Sequence, residues 1–289
     1  MHKNLSRAKL RLAFERAAET YDESAVLQRE VADRMLARLD LIRLNPGVIL
    51  DAGSGTGYCS RALAGRYRGA RVYAVDISHA MSRRAADQAG WFSRQRFVCG
   101  DAEALPLGAD SVDLVLSNLM LQWCDPEAAF AEFFRVLRPG GLLMFSSFGP
   151  DTLGELRTAW GAVDGAAHVH DFIDMHDLGD VLVHTRFADP VMDMEYFTLT
   201  YPDVMAVLRE LKHLGASNAA VGRPGGLTGR SRFQRFTSAY QSSARDERIP
   251  ATYEVVYGHA WVPETKPQSR ASGPAEIAVP LSQLRRRAP

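Results

Sequence analysis

The most restrictive stretch of the chain is Val48-Ile49-Leu50-Asp51-Ala52-Gly53-Ser54-Gly55-Thr56-Gly57, a short apolar run that ends on an acid and then on three alternating glycines. An uninterrupted apolar run of this length, bounded by turn residues, predicts a strand buried on both faces. Tyr58 to Tyr67 then has helical spacing, so the glycines fall at a strand-to-helix turn. Glycine there lets the backbone bend sharply and leaves no Cβ between the main chain and a ligand. The N-terminus of the following helix adds N–H groups that favour an anion. A tight structural turn would use the same residues, so the loop acquires meaning only from what surrounds it.

The surroundings repeat the alternation. Arg71 to Val75 is a second strand closed by Asp76, and His79 to Ala89 is helical. Arg96 to Cys99 and Ser111 to Leu116 are further strands. Pro126 to Leu137 is a helix opened by Asp125 as N-cap with proline at its first position. Pro139-Gly140-Gly141 stops it, and Leu142 to Phe148 is a fifth strand. Strands alternating with helices predict βαβ units and a parallel sheet covered on both faces. Ahead of the first strand, Leu10, Phe14, Ala17, Ala18 and Tyr21 recur at helical spacing, and Val26 to Leu39 is a second helix. After Pro150 the rhythm loosens. Met175 to Thr185 and Asp203 to His213 read as helices, and Val191 to Thr200 and Tyr253 to Val262 alternate as strands. Residues 214–232, rich in glycine, serine and arginine, predict a mobile loop. From Pro263 onward proline, serine and arginine predict a loose tail, with Ile277 to Leu281 as a candidate docked strand. The expected organisation is one domain over 1–262, divided into an N-terminal helical cap (1–44), a cofactor-binding core (45–150) and acceptor-side lid insertions (151–250). A flexible tail (263–289) follows.

Composition narrows the function classes. Lysine plus arginine and aspartate plus glutamate number 34 each, and zero net charge argues against a general nucleic-acid binder, which needs surplus cations to displace counterions from phosphate. Cys59, Cys99 and Cys124 have no metal-ligand spacing, and His168, His170, His176 and His184 form no acid–histidine ligand motif, so no metal is expected. No apolar run approaches the roughly 18 residues of a membrane span. The N-terminus is basic and amphipathic but lacks a signal-peptide apolar region, and Glu15 and Glu19 come early for a transit segment. A cytoplasmic location is expected.

Asp76 lies 19 residues past Gly57, where an acid can take both hydroxyls of a ribose. That much suits a nicotinamide dinucleotide or S-adenosylmethionine. The glycine spacing, G-x-G-x-G led by an acid, differs from the G-x-G-x-x-G dinucleotide fingerprint. The third strand runs into Gly100-Asp101-Ala102-Glu103-Ala104-Leu105-Pro106-Leu107, the fourth ends in Ser117-Asn118-Leu119-Met120, and Arg138-Pro139-Gly140-Gly141 precedes the fifth. Together, residues 48–148 resemble the class I S-adenosylmethionine-dependent methyltransferases. The resemblance implies a Rossmann-like α/β fold, with a mostly parallel seven-stranded sheet, helices on both faces and an antiparallel last strand. It implies that Asp51, Gly53, Ser54, Gly55 and Gly57 hold the methionine part of the cofactor, Asp76 the ribose, Ile77 one adenine face, and Asp101 with Ala102 the adenine edge. Ser117 or Asn118 would lie beside the methyl group, positioning rather than acting as a base.

The similarity extends further. Arg16-Ala-Ala-Glu-Thr-Tyr21-Asp22, Leu27-Gln28-Arg29-Glu30, Ser146-Ser-Phe148-Gly-Pro150-Asp-Thr-Leu153-Gly-Glu-Leu156, Phe172-Ile-Asp174-Met-His176-Asp177, Phe187-Ala-Asp189-Pro190 and Tyr253-Glu254-Val-Val-Tyr257 resemble the malonyl-acyl carrier protein O-methyltransferases of biotin synthesis. This implies esterification of the free carboxylate of a malonyl thioester, with an acyl carrier protein as partner and Tyr21 closing over the cofactor. No Asn-Pro-Pro-Tyr motif follows the fourth strand, so an acceptor that is already nucleophilic is favoured. Arg157 is a candidate for holding the acceptor carboxylate. The carrier would need a basic landing patch, for which Arg223, Arg230, Arg232 and Arg235, or Lys3, Arg7, Lys9 and Arg11, are candidates. Two alternatives share much of the pattern. One is a protein like the mitochondrial complex I assembly factor that hydroxylates a protein arginine; the other is a methyltransferase of a small-molecule acceptor.

Overall fold

The computed structural model describes residues 6–90, 93–166, 168–216 and 229–266. In chain order the elements are α1 (Arg7–Ala17), α2 (Tyr21–Ser24), α3 (Val26–Arg38), β1 (Val48–Ala52), α4 (Tyr58–Arg66), β2 (Arg71–Asp76), α5 (His79–Asp87), β3 (Gln95–Cys99) and β4 (Val112–Ser117). They continue with α6 (Pro126–Val136), β5 (Leu137–Phe148), α7 (Gly154–Gly161), α8 (Met175–His184), β6 (Ala188–Tyr201), α9 (Val204–His213), α10 (Arg230–Gln241) and β7 (Ile249–Trp261). The seven strands form one sheet in the order β3-β2-β1-β4-β5-β7-β6, in which β7 runs antiparallel to both its neighbours and every other pairing is parallel. This is the expected fold class. The strand order reverses between β1 and β4, and a doubly wound sheet opens its crevice at such a point.

Strand alternation separates two apolar layers. Ile49, Leu114, Leu116, Leu142, Met144 and Val255 face a layer built with Val31 and Met35 of α3, Leu63 of α4 and Phe236 of α10. Leu50, Val115, Leu143, Phe145 and Val256 face the other, with Phe130 and Phe133 of α6 and Leu182 of α8. Asp113 fastens the start of β1, accepting the backbone N–H groups of Gly47 and Val48 at 2.8 Å each.

Three features depart from expectation. β5 begins at Leu137, ahead of the glycine pair, because Gly140 N–H donates to Val262 and Val262 N–H to Gly141, each at 2.9 Å. Gly140 sits at φ +73°, so the pair bends a strand instead of ending a helix. The helices α7 and α10 arise where the sequence reads as irregular, and α10 takes up the end of the stretch expected to be a mobile loop. Its apolar face is narrow, but Phe236 and Tyr240 are fully buried. At the start of the expected tail, Lys266 reaches the Asp110 carboxylate and the carbonyls of Phe134 and Leu137. Lys3, Arg223 and the stretch Ile277 to Leu281 lie outside the described residues. Among the described residues no helix is long and apolar enough to cross a membrane.

Candidate active site

The C-terminal ends of β1, β2 and β4 open onto a cleft covered by α1, α2 and α3. It has two lobes, each of about 850 Å³ counted to the open mouth, which meet at Tyr21, Gln28, Gly53, Gly55 and Asn118. The first lobe runs past Asp76, Ile77, Asp101, Ala102, Trp123 and Phe148; the second holds Asp51, Ser54, Thr56 and Arg29. Residues as far apart in the sequence as Arg7 and Ala216 are therefore brought to one place.

The glycine loop has the conformation its composition requires. Gly53, Gly55 and Gly57 take φ of +75°, +53° and +83°, where a side chain is strained. A Cβ on Gly53 would fall 2.3 Å from Cγ of Met120, so β1 and the β4 loop can approach only without one. On Gly55 the nearest atom would be Tyr21 Cε1 at 3.9 Å, which leaves that backbone facing open cleft.

Two buried acids border the loop. Asp76 accepts N–H groups from Gly55 and Ser78 at 2.8 Å each, yet burial pushes its carboxyl up to about 6. Asp51 is 1% exposed; burial, with Asp76 nearby and against a 2.5 Å hydrogen bond from the Ser60 hydroxyl, raises it to about 7. Both carboxyls are poised for a ligand that would favour their anions: an ammonium or a pair of hydroxyls. The third acid, Asp101, receives Glu103 N–H at 2.9 Å and is paired with Arg7 of α1, whose guanidinium also reaches Glu103.

The cap is stitched to the core by two acids to which the sequence assigned no role. Glu15 accepts the N–H groups of His79 (2.7 Å) and Ala80 (3.0 Å), so α1 caps the N-terminus of α5. Asp22 accepts from Thr56 Oγ1 in the glycine loop at 2.5 Å and from Gln88 at 2.9 Å. Adjacent Tyr21 lies against Gly55, and burial pushes its phenol up.

At the end of β4 the two candidate positioning residues part company. Asn118 lines both lobes, donating its amide to Gln28 O and accepting Ser146 Oγ, both at 2.9 Å. Ser117 is fully buried on the last pleat of the strand and is absent from the lining of either lobe. Leu119 follows in a left-handed backbone (φ +48°), its N–H donated to Ser146 Oγ at 3.0 Å and its carbonyl receiving the Gln122 amide at 2.6 Å. Arg157 is also outside both linings. Its guanidinium holds the carbonyl of Pro150 at 2.9 Å, at the turn after β5. Arg230, Arg232 and Arg235 are exposed on α10, with Arg232 paired to Asp164. None of the three lines the cleft.

The residues present fit S-adenosylmethionine. Besides the left-handed glycines and the two acids, the buried Ser54 Oγ, Gln28 Oε1 and Gln122 Oε1 around the lobes find no partner among the described residues. Buried oxygens of this kind call for a polar ligand. Phe14, Trp123 and Phe148 supply apolar walls beside them.

Comparison with known proteins agrees. Residues 50–145 match the family described as methyltransferase domain. Over 280 residues, 94% of each chain, the sequence is 52% identical to malonyl-[acyl-carrier protein] O-methyltransferase of Laribacter hongkongensis. It is 54% identical over 261 residues to the protein of that name from Gallionella capsiferriformans, covering 88% of this chain and 90% of the relative. Among solved structures, the YcgJ protein of Bacillus subtilis superposes with a TM-score of 0.58 at 15% identity, over 81% of this chain and all of that one. The [4+2]-cyclase SpnF does so with 0.50 at 22%, over 80% and 81%. These two likenesses establish the fold alone, and one fold supports unrelated chemistries. The fold is that of the class I S-adenosylmethionine methyltransferases. By identity over nearly its whole length, the chain belongs to the malonyl-[acyl-carrier protein] O-methyltransferase family.

Proposed function

We propose that the protein methylates the free carboxylate of a malonyl thioester carried on an acyl carrier protein, with S-adenosylmethionine as donor, early in biotin synthesis. The observation that carries this reading is the extent of the likeness. The alignment behind the 52% identity covers 94% of the chain, so it takes in the cap and the helices after β5 as well as the Rossmann-like core. The donor, when bound, supplies an electrophilic methyl group on a sulfonium. Asp76 takes the ribose hydroxyls, Ile77 one adenine face, Asp101 and Ala102 the adenine edge, and Asp51 with the Gly53–Gly57 loop the amino-acid end. A carboxylate acceptor is already an anion at neutral pH, so the chain need provide no general base. Its task is alignment and exclusion of water. Tyr21 closes the cleft over Gly55, and Asn118, held by Gln28 and Ser146, sets the wall where donor and acceptor meet. The working unit is one domain over 1–262, with 1–44 as cap and 151–250 as acceptor-side lid. Esterification removes a negative charge that an apolar elongation site could bury only at high cost.

The test is to incubate the protein with S-adenosylmethionine and malonyl-acyl carrier protein and to weigh the carrier by intact mass spectrometry. One added methyl group, absent with the acetyl form, is the expected result. No gain while S-adenosylhomocysteine still binds would overturn the acceptor assignment and leave the donor site standing.

A further inference from the structure

The cap and the lid meet along a seam beside the cleft. Thr20 donates its hydroxyl to His213 O at the end of α9, at 3.1 Å. Gly215 fits against α1 so closely that a Cβ there would lie 3.0 Å from the Phe14 ring and 3.2 Å from Ala17 Cβ. Leu10 and Phe14 on one side of the seam, and Leu214 and Ala216 on the other, line the first lobe. Anything seated on the outside of this seam therefore stands at the wall of the cleft.

The outside has a distinct chemistry. On α1, Lys9, Leu12 and Arg16 follow at helical spacing and are all exposed; on α9, Met205, Arg209 and Lys212 do the same. Leu12 is 48% and Met205 46% exposed, two of the large apolar side chains left open to water. None of the four cations pairs with an acid among the described residues, whereas Arg7, Arg34, Arg38, Arg84 and Arg138 each do. The acids nearby are few or engaged. Glu19 is exposed at the α1 end, Asp203 caps α9 through Ala206 N–H, and Glu210 accepts the Tyr201 hydroxyl. In a chain of zero net charge, a ridge of unpaired cations around two exposed apolar side chains suits an amphipathic acidic helix.

We propose that this seam between α1 and α9 is the landing surface for the acidic helical carrier domain that presents the acceptor, an inference that rests on the acceptor reading above. The carrier's acids meet Lys9, Arg16, Arg209 and Lys212, and its apolar side chains cover Leu12 and Met205. Docking there delivers the tethered thioester along Leu10, Phe14, Leu214 and Ala216. The exposed arginines of α10 stand apart from this wall, with Arg232 already paired.

The test uses the full chain with Arg16→Glu, Arg209→Glu and Lys212→Glu combined. All three are exposed, so folding is checked by circular dichroism and by S-adenosylhomocysteine affinity. kcat/KM is measured on malonyl-acyl carrier protein and on malonyl-pantetheine, which lacks the carrier. The expected result is a fall of roughly tenfold or more with the carrier, mainly in KM and with a flatter salt dependence, and no change with malonyl-pantetheine. Carrier turnover within twofold of the parent would overturn the proposal, as would an equal loss from reversing Arg230, Arg232 and Arg235 instead. Leu12→Ser, which leaves charge alone, is expected to weaken carrier binding in the same direction. Direct titration of the carrier onto parent and reversed chains separates the two readings. If the parent binds the carrier but methylates nothing, only the acceptor reading fails; if the reversed chain binds as tightly as the parent, the surface assignment fails.

Discussion

On the β3-β2-β1-β4 side of the sheet, the candidate site groups leave the backbone at or just past a strand end: Asp51 next to last in β1 and the glycines after it, Asp76 closing β2, Asp101 after β3, Asn118 after β4. On the β5-β7-β6 side the arrangement is held by contacts between distant segments. Gly149 after β5 lies against the buried Glu254 of β7, whose carboxylate accepts Asp151 N–H at 2.8 Å. Glu155 of α7 accepts the N–H and the hydroxyl of Thr252. The first side is a row of positions fixed by the repeat length of strand and helix. The second is a scaffold of packed helices whose place over the cleft depends on residues a hundred positions away. The side proposed to hold the donor is thus specified locally, and the side proposed to receive the acceptor globally.

Three perturbations sharpen that contrast. The largest effect is expected on the donor side, where Gly53→Val drives a side chain into Met120 and Asp76→Ala removes the acceptor proposed for the ribose hydroxyls. Each should cost at least about a hundredfold in S-adenosylhomocysteine affinity by calorimetry, the first through a strained and displaced loop and the second through lost charge-assisted hydrogen bonds in a buried site. Retained affinity in either would misplace the donor. Next is a pH effect. The free Asp51 carboxyl, raised to about 7 by burial, is largely protonated below that pH, while a ligand ammonium favours its anion. Donor affinity should therefore rise with pH up to about 7 and level off above it, and binding at lower pH should release a proton. Titrations in two buffers of different ionisation enthalpy would detect that proton, and Asp51→Asn should abolish the dependence near 7. The smallest effect on donor binding belongs to the other side. Gly149→Ala places a Cβ 2.3 Å from Glu254 Cδ, so Tm should fall by several degrees while donor affinity stays within twofold. A large loss of donor affinity there would show that the two sides are not separately specified.

The same contrast explains what could be read in advance. The strands before Phe148, the glycine loop and Asp76 announce themselves because apolar runs ending on acids and glycines have few other uses. α7 escaped because Gly154, Ala159 and Gly161 give it little apolar periodicity, and α10 because Phe233, Phe236 and Tyr240 stand in an otherwise polar run. Ser117 and Asn118 were inseparable in sequence; the pleat buries the first and turns the second to the cleft. The bond from Asp22 to Thr56 and the pairing of Arg7 with Asp101 and Glu103 had no local signature at all. Charge alone did not single out the exposed seam from α10. What separates them is that α1 and the turn after α9 line the cleft whereas α10 does not, and that Arg232 of α10 is already paired.

Leu119 carries a final consequence. A leucine kept in the left-handed region costs on the order of 1–2 kcal/mol, and here Ser146 and Gln122 hold it there. The wall beside Asn118 is thus a sprung catch, its shape imposed by neighbours against the backbone's own preference. Glycine at 119 would relieve that tension but leave the wall slack, so at this one position durability and exact placement of the reactants pull in opposite directions.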